Sequence, residues 1–198
     1  MQLDNDYKGF SFLRDGPLDM RMNPDNPLTA QDVIANSSEK ELGQIFQEYG
    51  EEPRWKASAK AIVEERKKNP ITTTKQLADL LVTALRTKLR GRLHPATLVF
   101  QALRIFVNKE IEVLEQTLNK VVSFLAPKGI IGVISFHSFE DRVVKNVLRD
   151  ASKQIKEGYE RLPAPLTVLT KKPLVPSLAE IRSNVRSRSA KLRFAQKN

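Results

Sequence analysis

The chain has 198 residues, 40% of them hydrophobic, with 33 Lys and Arg against 23 Asp and Glu, and no cysteine. The missing cysteine excludes disulfides, thiolate metal sites and a cysteine nucleophile from this chain, and no apolar run reaches the roughly 20 residues that span a bilayer. The net charge of +10 points to a polyanionic partner, and the length suits one domain or one domain with an insertion. Met1-Gln2-Leu3-Asp4-Asn5-Asp6 has neither the basic nor the apolar region of a secretory signal, so the cytoplasm is the expected location.

Residues 1–27 hold Gly9, Gly16, Pro17, Pro24 and Pro27, too much punctuation for a regular element. A loop this long is either disordered or functional, and its Phe and Met content argues against disorder. Residues 28–99 read as a run of helices. Thr29 with Asp32, and Ser38 with Glu41, have capping-box spacing. Leu42, Ile45, Phe46 and Tyr49 then recur at helical intervals, and Gly50 suits a stop. A further helix is expected over 52–68, ended by Asn69-Pro70, and another capped by Thr74 and carrying Leu77, Leu80, Leu81 and Leu85. Trp55 reads as core. Arg86, Lys88, Arg90 and Arg92 form a basic cluster beyond that helix.

Residues 96–125 are expected to form the longest helix, with Leu103, Val107, Ile111, Leu114, Leu118, Val122 and Leu125 along one face. Pro127 and Gly129 end it. The run from Gly129 to Ser135 is almost wholly apolar and rich in Ile and Val, the pattern of a strand buried on both faces of a parallel sheet. It stops at His137-Ser138. Ser138 and Asp141 have capping-box spacing, and Val143, Val144, Val147, Leu148 and Ala151 follow at helical spacing. In open α/β sheets ligands bind at the carboxyl ends of strands, so residues 137–142 lie where chemistry is expected. A purely structural reading stands beside this one, with Ser138 and Asp141 as a cap and Arg142 as an exposed ion-pair partner.

Residues 152–165 read as loop, Leu166 to Thr170 as a strand, and Ser177 with Glu180 as the start of a short helix. Ala190 to Ala195 alternates with period two, as an edge strand with one polar face would. Residues 181–198 carry Arg182, Arg186, Arg188, Lys191, Arg193 and Lys197 with no acidic residue. With the cluster at 86–92, this favours a nucleic-acid partner. There is no G-x-G-x-x-G loop for a phosphate or dinucleotide.

Several blocks carry a resemblance. They are Gly9-Phe10-Ser11-Phe12 with Asp15-Gly16-Pro17-Leu18-Asp19-Met20-Arg21-Met22; Tyr49-Gly50-Glu51-Glu52; His94-Pro95-Ala96-Thr97 with Phe100-Gln101-Ala102-Leu103-Arg104-Ile105; Phe136-His137-Ser138 with Glu140-Asp141-Arg142; and Arg186-Ser187-Arg188-Ser189-Ala190-Lys191-Leu192-Arg193. In this order they resemble the C-terminal two-thirds of the bacterial MraW/RsmH-type methyltransferases. The departures are small: Phe139 where Leu is usual, Asn23 for Asp, and Val185 for Pro or Ala.

The resemblance implies an α/β fold, a partial Rossmann-like S-adenosylmethionine-dependent methyltransferase sheet with an inserted helical domain. Residues 1–27 would be a catalytic-face loop, 28–99 the inserted helical domain, and 100–198 the C-terminal part of the methyltransferase domain. The implied activity is methylation of the exocyclic N4 of a cytosine in 16S ribosomal RNA of the small subunit. The family's Gly-rich cofactor loop has no counterpart here, so a truncated enzyme is expected. Gln2 matches a position that contacts S-adenosylmethionine.

Methylating an amine requires alignment of nucleophile, methyl carbon and leaving sulfur, and an acceptor for the amine hydrogens. The expected catalytic residues are Asp19, His137, Ser138 and Asp141, with Asp19 accepting from the amine and His137 taking or relaying a proton. The expected RNA contacts are stacking by Phe10 and Phe12 and phosphate or base contacts by Arg21, Arg86, Lys88, Arg90, Arg92, Arg186, Arg188, Lys191 and Arg193. No metal and no membrane is implied, and no oligomeric state is assigned. Loop packing of the two Phe rings and a structural Asp19–Arg21 pair are the plain alternatives. Two other functions stay open: a non-catalytic RNA-binding remnant of such an enzyme, and a structural module associated with nucleic acid.

Overall fold

Reciprocal caps start the first two helices, as their spacing predicts. At α1 (Ala30–Asn36) the Thr29 hydroxyl accepts from Asp32 N at 3.1 Å while Thr29 N donates to the Asp32 carboxylate at 2.9 Å. Ser38 and Glu41 repeat the exchange at α2 (Glu39–Glu48). The next helix, α3 (Trp55–Arg66), starts later than expected, because the Glu52 carboxylate is spent accepting from Arg54 N. In α4 (Thr74–Leu85) Thr74 lies inside the first turn and does not cap it. Its hydroxyl instead donates to Arg14 O and accepts from Gly16 N, tying the helix to the preceding loop. Helix α5 spans Thr97–Asn108.

The computed structural model describes residues 8–85, 94–157 and 160–198. Gln2 and the basic cluster Arg86, Lys88, Arg90 and Arg92 lie outside the described residues. The chain divides into compact units 1–110 and 111–198.

Helix α5 belongs to the first unit. Val99, Phe100, Ala102, Leu103 and Val107 are all buried in the core that α1 to α4 build around Ile34, Leu42, Phe46, Ile62, Leu77 and Leu81. The loop 8–27 belongs to the same unit. Its Leu18 and Met20 are 1% and 0% exposed in that core, and its backbone is bonded to the helices by Leu18 N to Thr72 O, Gln31 N to Leu18 O and Ala30 N to Asp19 O. Gly9, at φ 67°, could carry no Cβ, since one would lie 2.0 Å from Pro17 O. Met20 also takes a left-handed conformation (φ 61°), costly without glycine. Its carbonyl accepts from Asn108 Nδ2 at 2.7 Å, and Asn108 Oδ1 accepts from Met22 N at 2.7 Å. One side chain at the end of α5 thus fixes the loop's turn.

The single long helix expected over 96–125 is two. Lys109 is left-handed (φ 50°) and its N–H closes α5 on Ile105 and Phe106 carbonyls. A new helix, α6 (Glu110–Phe124), begins at once, with Arg104 paired to Glu110 at 2.8 and 2.9 Å across the break. The apolar spacing runs through the junction unchanged, so periodicity alone does not reveal it.

In the second unit β1 (Ile130–Ser135) leads into α7 (Ser138–Asp150). The expected loop at 152–165 contains a hairpin, β2 (Ile155–Glu157) with β3 (Glu160–Leu162). Then come β4 (Leu166–Val168), α8 (Leu178–Ser183, capped by Ser177 as expected), a 3-10 turn (Val185–Ser189) and β5 (Lys191–Lys197). The main sheet runs β1-β5-β4 and both pairings are antiparallel.

Two sequence expectations are corrected here. Strand β5 is central in this sheet. Strand β1 is an edge strand of an antiparallel sheet and is buried on one face only. Ile131 pairs with Ala195 on the face that Leu118 and Val122 of α6 and Val144, Val147 and Leu148 of α7 cover. Ile130 and Ile134, on the other face, are each 58% exposed. Continuous apolar residues report what a strand can bury, and in this unit α6 and α7 pack on one face. The fold is mixed α/β with a small antiparallel sheet.

Candidate active site

The sharpest polar geometry in the second unit lies where β1 ends and α7 begins. Ser135 is the last buried residue of the strand, and His137, extended at φ −136° and ψ 164°, is the N-cap of α7. His137 Nδ1 accepts from Glu140 N at 3.2 Å. The Glu140 carboxylate reaches back, accepting from Phe136 N at 2.8 Å and His137 N at 3.3 Å. This is a capping box displaced by one residue from the expected Ser138–Asp141 pair, with imidazole doing the work of a hydroxyl. Ser138 is the first residue of the helix proper.

The displacement frees Asp141 for a different partner. Its two carboxylate oxygens accept from Arg193 Nε at 2.6 Å and Arg193 Nη2 at 3.0 Å, and Lys191 Nζ stands 3.7 Å away. Asp141 and Arg193 are 8% and 6% exposed. The Arg193 guanidinium holds the Asp141 carboxyl below its ordinary value, more than offsetting the desolvation that raises it. Arg193, expected among the RNA contacts, is thus buried and paired within the fold. Val133 and Arg193 are register partners, which sets the guanidinium on the helix-covered face of β5. Arg186 and Arg188 lie in the exposed 3-10 turn, and Lys191 is half-buried.

Burial raises the Glu140 carboxyl, but the bonds from His137 and Phe136 outweigh it and leave the group below its ordinary value. His137 Nε2 lies 3.1 Å from Glu140 Oε1. The two are not aligned for a hydrogen bond, and Nε2 is a buried polar atom without a bonded partner.

The other expected residues lie in the first unit. Asp19 and Arg21 form a two-point pair, Nε to Oδ1 at 2.8 Å and Nη2 to Oδ2 at 2.9 Å. Arg21 N also donates to Oδ1, and Nη1 donates to Pro24 O and Asn26 O at 2.8 Å each. Arg21 keeps Asp19 ionised below the usual carboxylate range. The guanidinium is therefore largely committed to closing its own loop. Phe10 and Phe12 pack against the first core. Phe12 stacks on His94 with ring centroids 4.5 Å apart and meets Phe100 edge-on at 5.0 Å.

Neither Glu140 nor Asn108 stands out as functional from the sequence alone. A His followed three residues later by Glu, at the end of an apolar run, is the signal that finds Glu140, once His is admitted as a cap. Nothing in the spacing finds Asn108, whose bonds to Met20 and Met22 close over 88 and 86 residues.

S-adenosylmethionine has no framed site among the described residues. Gln2 lies outside them, and the described side chains line other cavities. One of about 590 Å³ is bordered by Glu65, Asn69, Gln76 and Asp79, and one of about 150 Å³ by Ile134, Leu174 and Leu192. Among the described residues no helix is long and apolar enough to cross a membrane.

Comparison with known proteins gives a consistent result. The model of the MraW methylase family matches residues 1–198. Proteins named ribosomal RNA small subunit methyltransferase H are similar to it throughout. That of Carboxydothermus hydrogenoformans is 51% identical over 202 residues, covering 99% of this chain and 65% of the relative. Those of Protochlamydia amoebophila and Rhodopseudomonas palustris are 48% and 49% identical, covering 99% and 100% of this chain. The chain spans 64% and 60% of the length of those two relatives.

Proposed function

Because this chain belongs to the MraW methylase family, we propose that it is part of an S-adenosylmethionine-dependent methyltransferase acting in the cytoplasm on the N4 amine of a cytosine in 16S ribosomal RNA of the small subunit. The observation that carries this reading is the match of the whole chain to one family model, with relatives named as small-subunit ribosomal RNA methyltransferases.

A cytosine amine is a weak nucleophile because its lone pair is delocalised into the ring, and an acceptor on its hydrogens restores electron density. Asp19 suits that task. It is held ionised by Arg21, and among the described residues Oδ2 receives one bond, from Nη2, so a lone pair faces an amine hydrogen. His137 and Ser138 open α7 at the strand end, and Asp141 holds that turn to β5 through Arg193. Lys191, Arg186 and Arg188 are the proposed phosphate contacts in this unit, joined by Arg86, Lys88, Arg90 and Arg92. Phe10 and Phe12 line the Asp19 loop as the proposed stacking surface.

The second reading, a non-catalytic RNA-binding remnant, is favoured by the Asp19–Arg21 pair, whose members are largely spent on closing their own loop. One experiment separates the two. The chain, joined to the cofactor-binding segment of a family member, is incubated with unmodified small subunits and labelled S-adenosylmethionine, and the RNA is digested and analysed by mass spectrometry. N4-methylcytidine in 16S RNA is the expected product. Label at another atom overturns the assignment, and RNA binding without transfer selects the remnant.

A further inference from the structure

One residue, Glu140, addresses both nitrogens of His137. Its backbone N–H donates to Nδ1 at 3.2 Å, so Nδ1 carries no proton and the ring proton of the neutral imidazole lies on Nε2. Its carboxylate brings Oε1 to 3.1 Å from Nε2, an acceptor facing a donor, while Oε2 is anchored by Phe136 N and His137 N. The backbone on both sides of the ring is therefore held by the carboxylate of the same residue whose N–H occupies Nδ1.

We infer that Glu140 is a positioning residue that locks His137 as a neutral Nε2–H donor. In this state His137 is not a proton acceptor. Nδ1 is occupied by the cap, and Nε2 already bears its hydrogen. Taking up a proton at Nδ1 would place that N–H against the Glu140 N–H and break the cap. The Nε2–H is buried and off-line from Oε1, so its hydrogen-bonding capacity is not satisfied within the protein. A donor of this kind suits the acceptor edge of a pyrimidine, O2 or N3 of cytosine, whereas the amine hydrogens need the carboxylate. The general-base role expected for His137 thus passes to another group. This inference rests on the proposed methyl transfer for its consequence, but its structural content does not.

The test uses Glu140→Gln, which keeps an acceptor for Phe136 N and His137 N but turns the other arm into a donor facing Nε2–H. Imidazole nitrogen chemical shifts of His137 are recorded on the whole chain. In the wild type Nδ1 is expected in the unprotonated range and Nε2 in the protonated range; in Glu140→Gln the two converge or exchange, with circular dichroism unchanged. Glu140→Asp, tested beside it, retains the carboxylate and should partly restore the wild-type shifts. In the methylation assay Glu140→Gln is expected to lower kcat by about ten-fold or more with KM for the subunit little changed, as when an imidazole is held in the wrong tautomer. A protonated Nδ1 in the wild type, or identical shifts in wild type and Glu140→Gln, overturns the lock whatever the assay gives. A normal tautomer shift with unchanged turnover overturns the positioning role. A wild type that transfers no methyl group while the shifts behave as stated removes the methyl-transfer reading and leaves the tautomer lock standing.

Discussion

Asp141 on α7 and Arg193 on β5 are 52 residues apart and meet in a two-point ion pair at 2.6 and 3.0 Å, almost fully buried. The pair ties the turn that carries His137 to the central strand of the sheet. Removing either partner leaves a buried charge uncompensated, which costs about 3–5 kcal/mol. Asp141→Ala and Arg193→Met should each lower the unfolding free energy by roughly that much. The double change Asp141→Leu with Arg193→Met should recover most of the loss, since a well-packed apolar pair often replaces a buried ion pair at little net cost. Urea unfolding of the four proteins checks this, and additive losses would mean that the two residues act separately.

The same pair sets an acid limit. Asp141 is lowered in the folded state, chiefly by the bond from Arg193. Its contribution is therefore present above the unfolded value of about 3.9 and is lost as pH falls through the lower folded value. Melting temperature should drop steeply below about pH 4. In the Asp141→Leu, Arg193→Met protein the slope in that window should be shallower. An unchanged slope would assign acid unfolding to other carboxylates.

The cap on α7 gives a residue-level prediction. His137 is the N-cap, so His137→Ala should cost about 1 kcal/mol, while His137→Asn should retain most of the stability. Ser138→Ala should cost less than His137→Ala. Thermal melts decide it; a larger loss at Ser138 would restore the capping box expected from spacing.

Asn108 buckles the loop 8–27 through bonds to Met20 O, Met22 N and Arg104 O. Asn108→Leu unpairs buried backbone groups beside a left-handed Met20, and a loss of about 1–3 kcal/mol is expected. Limited proteolysis should then cut near residues 20–24 first. If Asn108→Leu melts like the wild type with the loop protected, the buckle is dispensable.

For RNA, Arg186→Ala with Arg188→Ala should weaken binding to 16S RNA and reduce the salt slope by about two, one for each phosphate that is no longer neutralised. Arg193→Met, already paired inside the fold, should leave the slope unchanged at temperatures where the protein is folded. Filter binding between low and moderate salt measures both, and a flattened slope in Arg193→Met would show that Arg193 reaches phosphate after all.

Where a few adjacent residues suffice, the outcome was legible in the sequence. Thr29 and Ser38 cap their helices, Ser177 opens α8, the strand–turn–helix at 130–150 exists, and the ordered blocks identify the family. These follow from i to i+3 bonds and from apolar period, which the chain carries locally. What tertiary structure decided depends on partners far apart in sequence. Asn108 and Lys109 break one apparent helix into two because the end of α5 must reach Met20 and Met22. Strand β1 leaves Ile130 and Ile134 exposed because α6 and α7 cover the other face. His137 and Glu140 cap α7 in place of Ser138 and Asp141, because Arg193, arriving 52 residues later, claims the Asp141 carboxylate. Spacing allows both caps equally; the desolvated charge on β5 selects between them, since a buried guanidinium left without a carboxylate costs more than a hydroxyl cap contributes.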